Sequence, residues 1–338
     1  MNQLLYSRLP EVTLANGNTI KINISYQLFG NQNSDAPVVL VIHALTGNSN
    51  ITGPDGWWQD LVGEHKVIDT NTYRVLAFNI PGNGYDGDEN QLINNYKDYV
   101  TSDVATIFNS ALEQLQIHQL FAIIGGSVGG GIAWEMAAQK PELCQHLIPI
   151  ACHWKSSDWL IANCHIQDAI LNHSKTALAD ARMHAMTLYR TPESFREKFN
   201  RNQHESGLFY IESWLNHHGN KLTDRFKLSA YKLMNQFLKT IDITRNGDNF
   251  TEIASKITAH IHLVTINSDL LFKSDECWET YVELKSVKED VSIFEIKSIH
   301  GHDAFLMAFD QLSKFLIPIF QPQKKTLTKD GKRSFASL

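Results

Sequence analysis

A serine framed by glycines carries the strongest chemical signal in this chain. Gly125-Gly126-Ser127-Val128-Gly129 follows the apolar run Phe121–Ile124 and precedes a helical pattern over 130–139. Between a strand and a helix, G-x-S-x-G predicts a sharp turn that lifts the serine Oγ above a sheet. There, at a helix N-terminus, backbone N–H groups and the helix dipole favour a developing oxyanion. Side chains beside such a turn would collide with the neighbouring strand and helix, which is the reason for the glycines. The glycines around Ser127 do not form a G-x-G-x-x-G, so this turn is not read as a dinucleotide-binding fingerprint.

A serine hydroxyl becomes a nucleophile only when a base takes its proton, and that base needs a third group to fix its tautomer. In α/β-hydrolases these follow the serine in the order acid, then histidine. The run Ile261–Ile266 ends in Asn267-Ser268-Asp269, which predicts Asp269 at the C-terminal edge of a strand. The next run, Val291–Ile296, leads into Ser298-Ile299-His300-Gly301-His302-Asp303. His300 and His302 are both candidates for the base. His302 is preferred, because the Gly301 turn and the helical pattern over 304–309 would present it at the loop tip. The second oxyanion donor is expected in the turn after the first buried strand, His43-Ala44-Leu45-Thr46-Gly47, which makes the backbone N–H groups of Leu45 and Val128 the candidates. His260-x-His262 points both rings to one face of a strand. No carboxylate or cysteine partner has ligand spacing, so no metal is expected.

The elements that must position these residues alternate. Val38–Ile42 is a continuous apolar run, as in a strand buried on both faces, and similar runs occupy Tyr73–Asn79, Phe121–Ile124, Leu147–Ala151, Ile261–Ile266 and Val291–Ile296. Helical patterns over 104–115 and 131–139 fall between them, which predicts a mostly parallel, doubly wound α/β sheet. The stretch Thr13–Tyr26, alternating about Asn16-Gly17-Asn18, predicts an antiparallel hairpin. From His153 to Gly247 the strand rhythm stops and amphipathic patterns over 176–190 and 222–241 replace it. This predicts a core of residues 1–152 and 248–321, a helical cap inserted at 153–247, and a frayed polar tail over 322–338.

With 338 residues, 30 basic and 36 acidic side chains and a formal charge of −6, the chain is long enough for a full core. That balance gives no support to a nucleic-acid or anionic-membrane partner. The N-terminal segment lacks signal-peptide character, no run reaches the length of a membrane span, and the four cysteines show no metal or CxxC spacing. A cytoplasmic protein with reduced thiols is expected.

Taken together, several stretches resemble the homoserine O-acyltransferase family, α/β-hydrolase-fold enzymes of methionine biosynthesis. They are His43-Ala-Leu-Thr-Gly47, Trp57-Trp58, Val67–Thr70 with Tyr73, Gly125–Gly129, Ala181-Arg182, Tyr189-Arg190, Glu212-Ser213, Arg225-Phe226, Ser268-Asp269 and Gly301-His-Asp-Ala-Phe-Leu306. The resemblance implies ping-pong acyl transfer, with no bound cofactor, from an acyl-CoA co-substrate (acetyl-CoA) through Ser127 to the hydroxyl of L-homoserine, and a homodimer. It also implies that Arg182 pairs with the amino acid's carboxylate, Tyr189 lines its pocket, and Asp303 meets its ammonium group. The spacing of Arg182 and Tyr189 agrees, since residues seven apart share one helix face. Three departures bear on the substrates: Pro81–Asp88 in place of a Gly-Gly-Cys loop, a shortened stretch between Ile170 and Ala181, and Ile166-Gln167 in place of a Gln-Arg pair. Succinyl-CoA or L-serine as substrate, or release of the acyl group to water, are the alternatives these leave.

Overall fold

The fold comes from a computed structural model and is described for residues 3–321. The tail expected over 322–338 lies outside the described residues. Eight strands form the main sheet: β1 (Leu5–Arg8), β2 (Asn23–Gly30), β3 (Val38–Ile42), β4 (Arg74–Phe78), β5 (Leu120–Gly126), β6 (Cys144–Ile150), β7 (His260–Ile266) and β8 (Val291–Ile296). Their spatial order is β1-β2-β4-β3-β5-β6-β7-β8. The pairs β1–β2 and β2–β4 are antiparallel, and every other neighbouring pair is parallel.

Burial on both faces explains the unbroken apolar runs. In β3, Leu40 and Ile42 belong to one buried cluster while Val39 and Val41 belong to the other, and all four side chains are inaccessible. Alternation along the strand thus feeds two cores at once. The first core contains α1 (Thr101–Gln114), α2 (Val128–Gln139) and the buried face of α9 (Ser274–Val287), and the second contains Trp58, Ile68 and α10 (Phe309–Phe320). The helix α2 is buried nearly all round, and its one charged side chain, Glu135, is paired with Arg245.

Six helices lie between β6 and β7: α3 (Asp158–His173), α4 (Ala177–Tyr189), α5 (Pro192–Phe199), α6 (Tyr210–Thr223), α7 (Leu228–Lys239) and the short α8 (Phe250–Lys256). Within this stretch the described residues hold isolated bridges but no strand. The starts follow local chemistry. Ser157 caps α3 through its side chain, and Thr191 caps α5 just before Pro192. In α7, Ala230, Leu233, Met234 and Phe237 form a buried stripe that joins the first core.

Three expected elements are redrawn. The hairpin over 13–26 is shorter: Val12–Thr13 pairs with Thr19–Ile20, and the residues up to Tyr26 belong to β2 in the main sheet. The helix expected over 222–241 is two helices, α6 and α7, broken at 224–227. The helical pattern over 304–309 is a 3₁₀ turn, Gly301–Leu306, followed by α10. In the last two cases one apolar periodicity runs across a break in the backbone, and periodicity alone does not register such a break.

Candidate active site

Ser127 joins β5 to α2 with φ 57° and ψ −128°, a region that side-chain-bearing residues rarely occupy, at a cost of about 1–3 kcal/mol. The surrounding backbone holds it there. Its N–H donates to the Ile150 carbonyl at 2.9 Å, and its own carbonyl accepts from Gly130 and Gly131. A Cβ on Gly125 would lie 2.5 Å from the Gly129 backbone, and one on Gly129 would overlap the Ile42 carbonyl and sit 2.7 Å from that of His43. The elbow is therefore packed against the β3 turn backbone to backbone. Only glycine fits.

Asp269 follows β7, is buried, and accepts three hydrogen bonds. Its Oδ2 faces His302 Nδ1 at 2.7 Å, and its Oδ1 accepts from the N–H groups of Leu271 and Phe272 at 2.7 and 2.9 Å. This pairing fixes the Nδ1–H tautomer of His302 and leaves Nε2 free to take a proton. Burial works against a charged ring, but the Asp269 carboxylate and the nearby Asp303 outweigh it and raise the His302 pKa above the ordinary 6.5. The loop bearing His302 is laced to the Asp269 loop, with Ser268 Oγ accepting from the Gly301 N–H and donating to the Ser298 carbonyl. A Cβ on Gly126 would lie 2.5 Å from the Phe305 ring, so the 3₁₀ turn carrying His302 lies directly against the elbow. The other candidate base, His300, faces Ser194 on α5 through Nδ1 at 3.0 Å.

The two amides considered as oxyanion donors, those of Leu45 and Val128, donate no hydrogen bond among the described residues. A buried network behind them sets the turn. His43 Nδ1–H donates to the Ala44 carbonyl at 2.7 Å, while Nε2 accepts from the Ile80 N–H at 3.0 Å and lies 3.3 Å from Asn83 Nδ2. Burial pushes the His43 pKa down to about 4, so this ring is a neutral strut. Asn79 continues the network through Ser49 and Ser25. The loop over 81–88 is thus anchored to the 43–47 turn through Asn83, a link between distant residues that chain spacing does not reveal.

On the helical side, the Arg182 guanidinium stands 5.5 Å from the Tyr189 ring centroid, and that ring lies 5.6 Å from the His302 ring. The shared helix face thus leads from Arg182 to the candidate base. Asp303 Oδ2 lies 3.1 Å from Arg190 Nε in an ion pair. Burial raises the Asp303 pKa against the pull of Arg190 and Arg182. Arg225 donates to the Thr46 carbonyl at 2.9 Å, clamping the turn between α6 and α7 onto the 43–47 turn. Burial and the charge of Arg182 lower the pKa of Arg225 and bring that of His218 to about 4, so positive charge is concentrated here. Arg190 and Arg225 stood within quoted motifs, but no spacing argument gave either a role. The buried Tyr231, whose pKa burial raises to about 12 beside Tyr189 and Arg182, had no signal of its own.

A hydrogen-bonded acid–histidine pair, on a turn packed against the elbow of a strained serine, with two free amides nearby, has the parts that nucleophilic acyl transfer requires. Comparisons with known proteins narrow this. Residues 37–206 match the family model for the α/β hydrolase fold. A homoserine O-acetyltransferase of Methanococcus vannielii is 34% identical over 94% of this chain and 72% of its own length. That of Haemophilus influenzae (strain Rd) is 30% identical over 93% and 96%. Among solved structures, the homoserine O-acetyltransferase of Bacillus anthracis superposes with a TM-score of 0.85 at 20% identity, covering 95% of this chain and 98% of its own. Esterase E22 superposes equally well, with a TM-score of 0.85 at 17% identity over 95% and 100%, so likeness of fold does not separate transferase from esterase. Sequence identity over nearly the whole chain does separate them, and this chain is an enzyme of the homoserine O-acetyltransferase family of α/β hydrolases.

Proposed function

We propose that the protein transfers the acetyl group of acetyl-CoA to the side-chain hydroxyl of L-homoserine through an acetyl-Ser127 intermediate. The observation that carries this reading is convergence. The 43–47 turn and the 301–306 turn, far apart in the chain, each pack against the 125–129 elbow that bears Ser127.

In the first half-reaction, His302 Nε2 takes the Ser127 Oγ proton as Oγ adds to the thioester carbonyl. The amides of Leu45 and Val128 receive the oxyanion. Collapse breaks the C–S bond, and His302 returns the proton to the departing thiolate of CoA. In the second, His302 takes the proton of the homoserine hydroxyl, which adds to the acyl-serine carbonyl. Collapse breaks the Ser127 C–O bond and the proton goes back to Oγ. Arg182 forks onto the substrate carboxylate, Tyr189 lines the pocket and Asp303 meets the ammonium group, with Arg190 steering that carboxylate. The cationic rim suits the phosphates of CoA.

Residues 153–247 act in this reading as a cap that excludes water from the acyl-enzyme. No described helix is long and apolar enough to cross a membrane. The four cysteines are buried and free, which suits a reducing, cytoplasmic setting, and a homodimer is the expected assembly. The test is thiol release from acetyl-CoA with and without L-homoserine. Homoserine-dependent release with formation of the O-acetyl ester is expected. Release that ignores homoserine would make the enzyme a hydrolase, and release only with succinyl-CoA or L-serine would reassign the substrates.

A further inference from the structure

Another cluster of titratable side chains lies at the opposite end of the sheet from Ser127. His146 stands near the start of β6, and His260 and His262 open β7. The two strands are parallel neighbours with His146 opposite His260, and alternation puts His262 on the same face. His146 Nδ1 lies 3.0 Å from His262 Nε2, and the His260 and His262 rings stack with centroids 4.2 Å apart. One nitrogen from each ring lies within 4.8 Å of the other two. His262 is buried, and His146 and His260 are half-buried.

We infer that His146, His260 and His262 form a binding site for a divalent transition metal, with Zn²⁺ the best match. Three imidazoles and a water make up a tetrahedral zinc shell, in which nitrogens about 2.0–2.1 Å from the metal sit roughly 3.3 Å from one another. The His146–His262 pair is already near that separation, and a His260 ring nitrogen lies within 4.8 Å of both. His262 Nδ1 lies 2.8 Å from Ser292 Oγ on β8, an outer partner that holds the ring and leaves Nε2 to the metal. His146 then needs only to carry its proton on Nε2 instead of Nδ1, so the three rings release no proton on binding the ion. Burial and the mutual proximity of the rings lower the pKa of His262 to about 3, and burial lowers those of His146 and His260 as well, so the donors are neutral near pH 7.

The sequence-based expectation of no metal rested on the absence of a third ligand at ligand spacing. The third ligand comes from a neighbouring strand, 116 residues from His262 along the chain. So placed, the ion ties β6 to β7 and takes no part in chemistry at the other edge.

The test uses the full-length, tag-free protein, stripped with a chelator and titrated with Co²⁺. The visible bands of tetrahedral Co²⁺ should saturate at one equivalent and be displaced by Zn²⁺. Zn²⁺ at a hundred times its Kd should raise the thermal midpoint by roughly 5 °C. His146→Gln and His260→Gln alter half-buried rings and should each weaken binding by at least about tenfold, with circular dichroism showing that both remain folded. His217→Gln, at an exposed histidine of α6, should leave binding unchanged. No band in the unaltered protein, or a band that survives both ligand variants or vanishes with His217→Gln, would overturn the site.

Discussion

Around Ser127 the backbone itself is the packing surface: Gly125 and Gly129 bring the elbow against its own helix and the Ile42 and His43 carbonyls, with no side chain between. The helices α4 to α7 approach the same cleft through long side chains. Arg182 lies over Tyr189, Arg190 pairs with Asp303, and Arg225 bonds Thr46. Backbone contacts leave no room for substitution, whereas flexible charged side chains can be exchanged one at a time. If Ser127 is the nucleophile proposed above, the contrast implies that it is held rigidly while the proposed acceptor pocket is open to change. The departures expected from the resemblance fall in the loop over 81–88 and in the helices between β6 and β7, on this second side. There, a Cβ on Gly82 would lie 2.6 Å from Leu233 of α7, so loop and insertion are packed as one unit.

The strongest way to break this contrast is Ser127→Ala, which should lower turnover by at least about 10⁴ and abolish the burst of thiol release. Retained turnover, measured by thiol release under single-turnover conditions, would remove the covalent route. Gly129→Ala should be nearly as damaging for a different reason. The new Cβ meets backbone, not a movable side chain, so about 3 kcal/mol or more of stability should be lost, read by urea denaturation. If Gly129→Ala melts like the parent protein, the elbow is less tightly packed than its geometry implies.

On the helical side the effect should be smaller and confined to one half-reaction. Arg182→Ala should raise the KM for the amino-acid acceptor by about 10–100-fold while leaving the acyl-enzyme burst intact, since it removes one charge-assisted pair. Equal loss in both half-reactions would place Arg182 with the nucleophile instead. The smallest effect is graded with pH. His302 works as a base only when neutral, so kcat/KM should fall tenfold per unit below its pKa, with a midpoint above 6.5. Asp303→Asn removes one of the charges that raise it and should move that midpoint toward acid, and a midpoint unmoved or shifted to higher pH would contradict the electrostatic account.

Much of the sheet and of the serine site was legible because its signals are local. A two-sided strand shows as an apolar run, and an elbow shows as glycines one and two positions from a serine. The order of Asp269 and His302 after successive strands followed from the same pattern. The breaks at 224–227 and at Met307–Ala308 were not legible, because apolar periodicity continues across both.

Residue types and short-range spacing by themselves determined the α/β sheet, the elbow at Ser127 and the pair of histidines competing to be its base. Tertiary structure decided that His302 meets Asp269 while His300 turns to Ser194, and that Arg190 holds Asp303. It also brought His146 beside His260 and His262. The reason is physical. Backbone conformation is set by neighbours a few residues away, but which side chains meet across a hundred residues depends on strand register and on how helices pack over the sheet, and neither is written in any single segment.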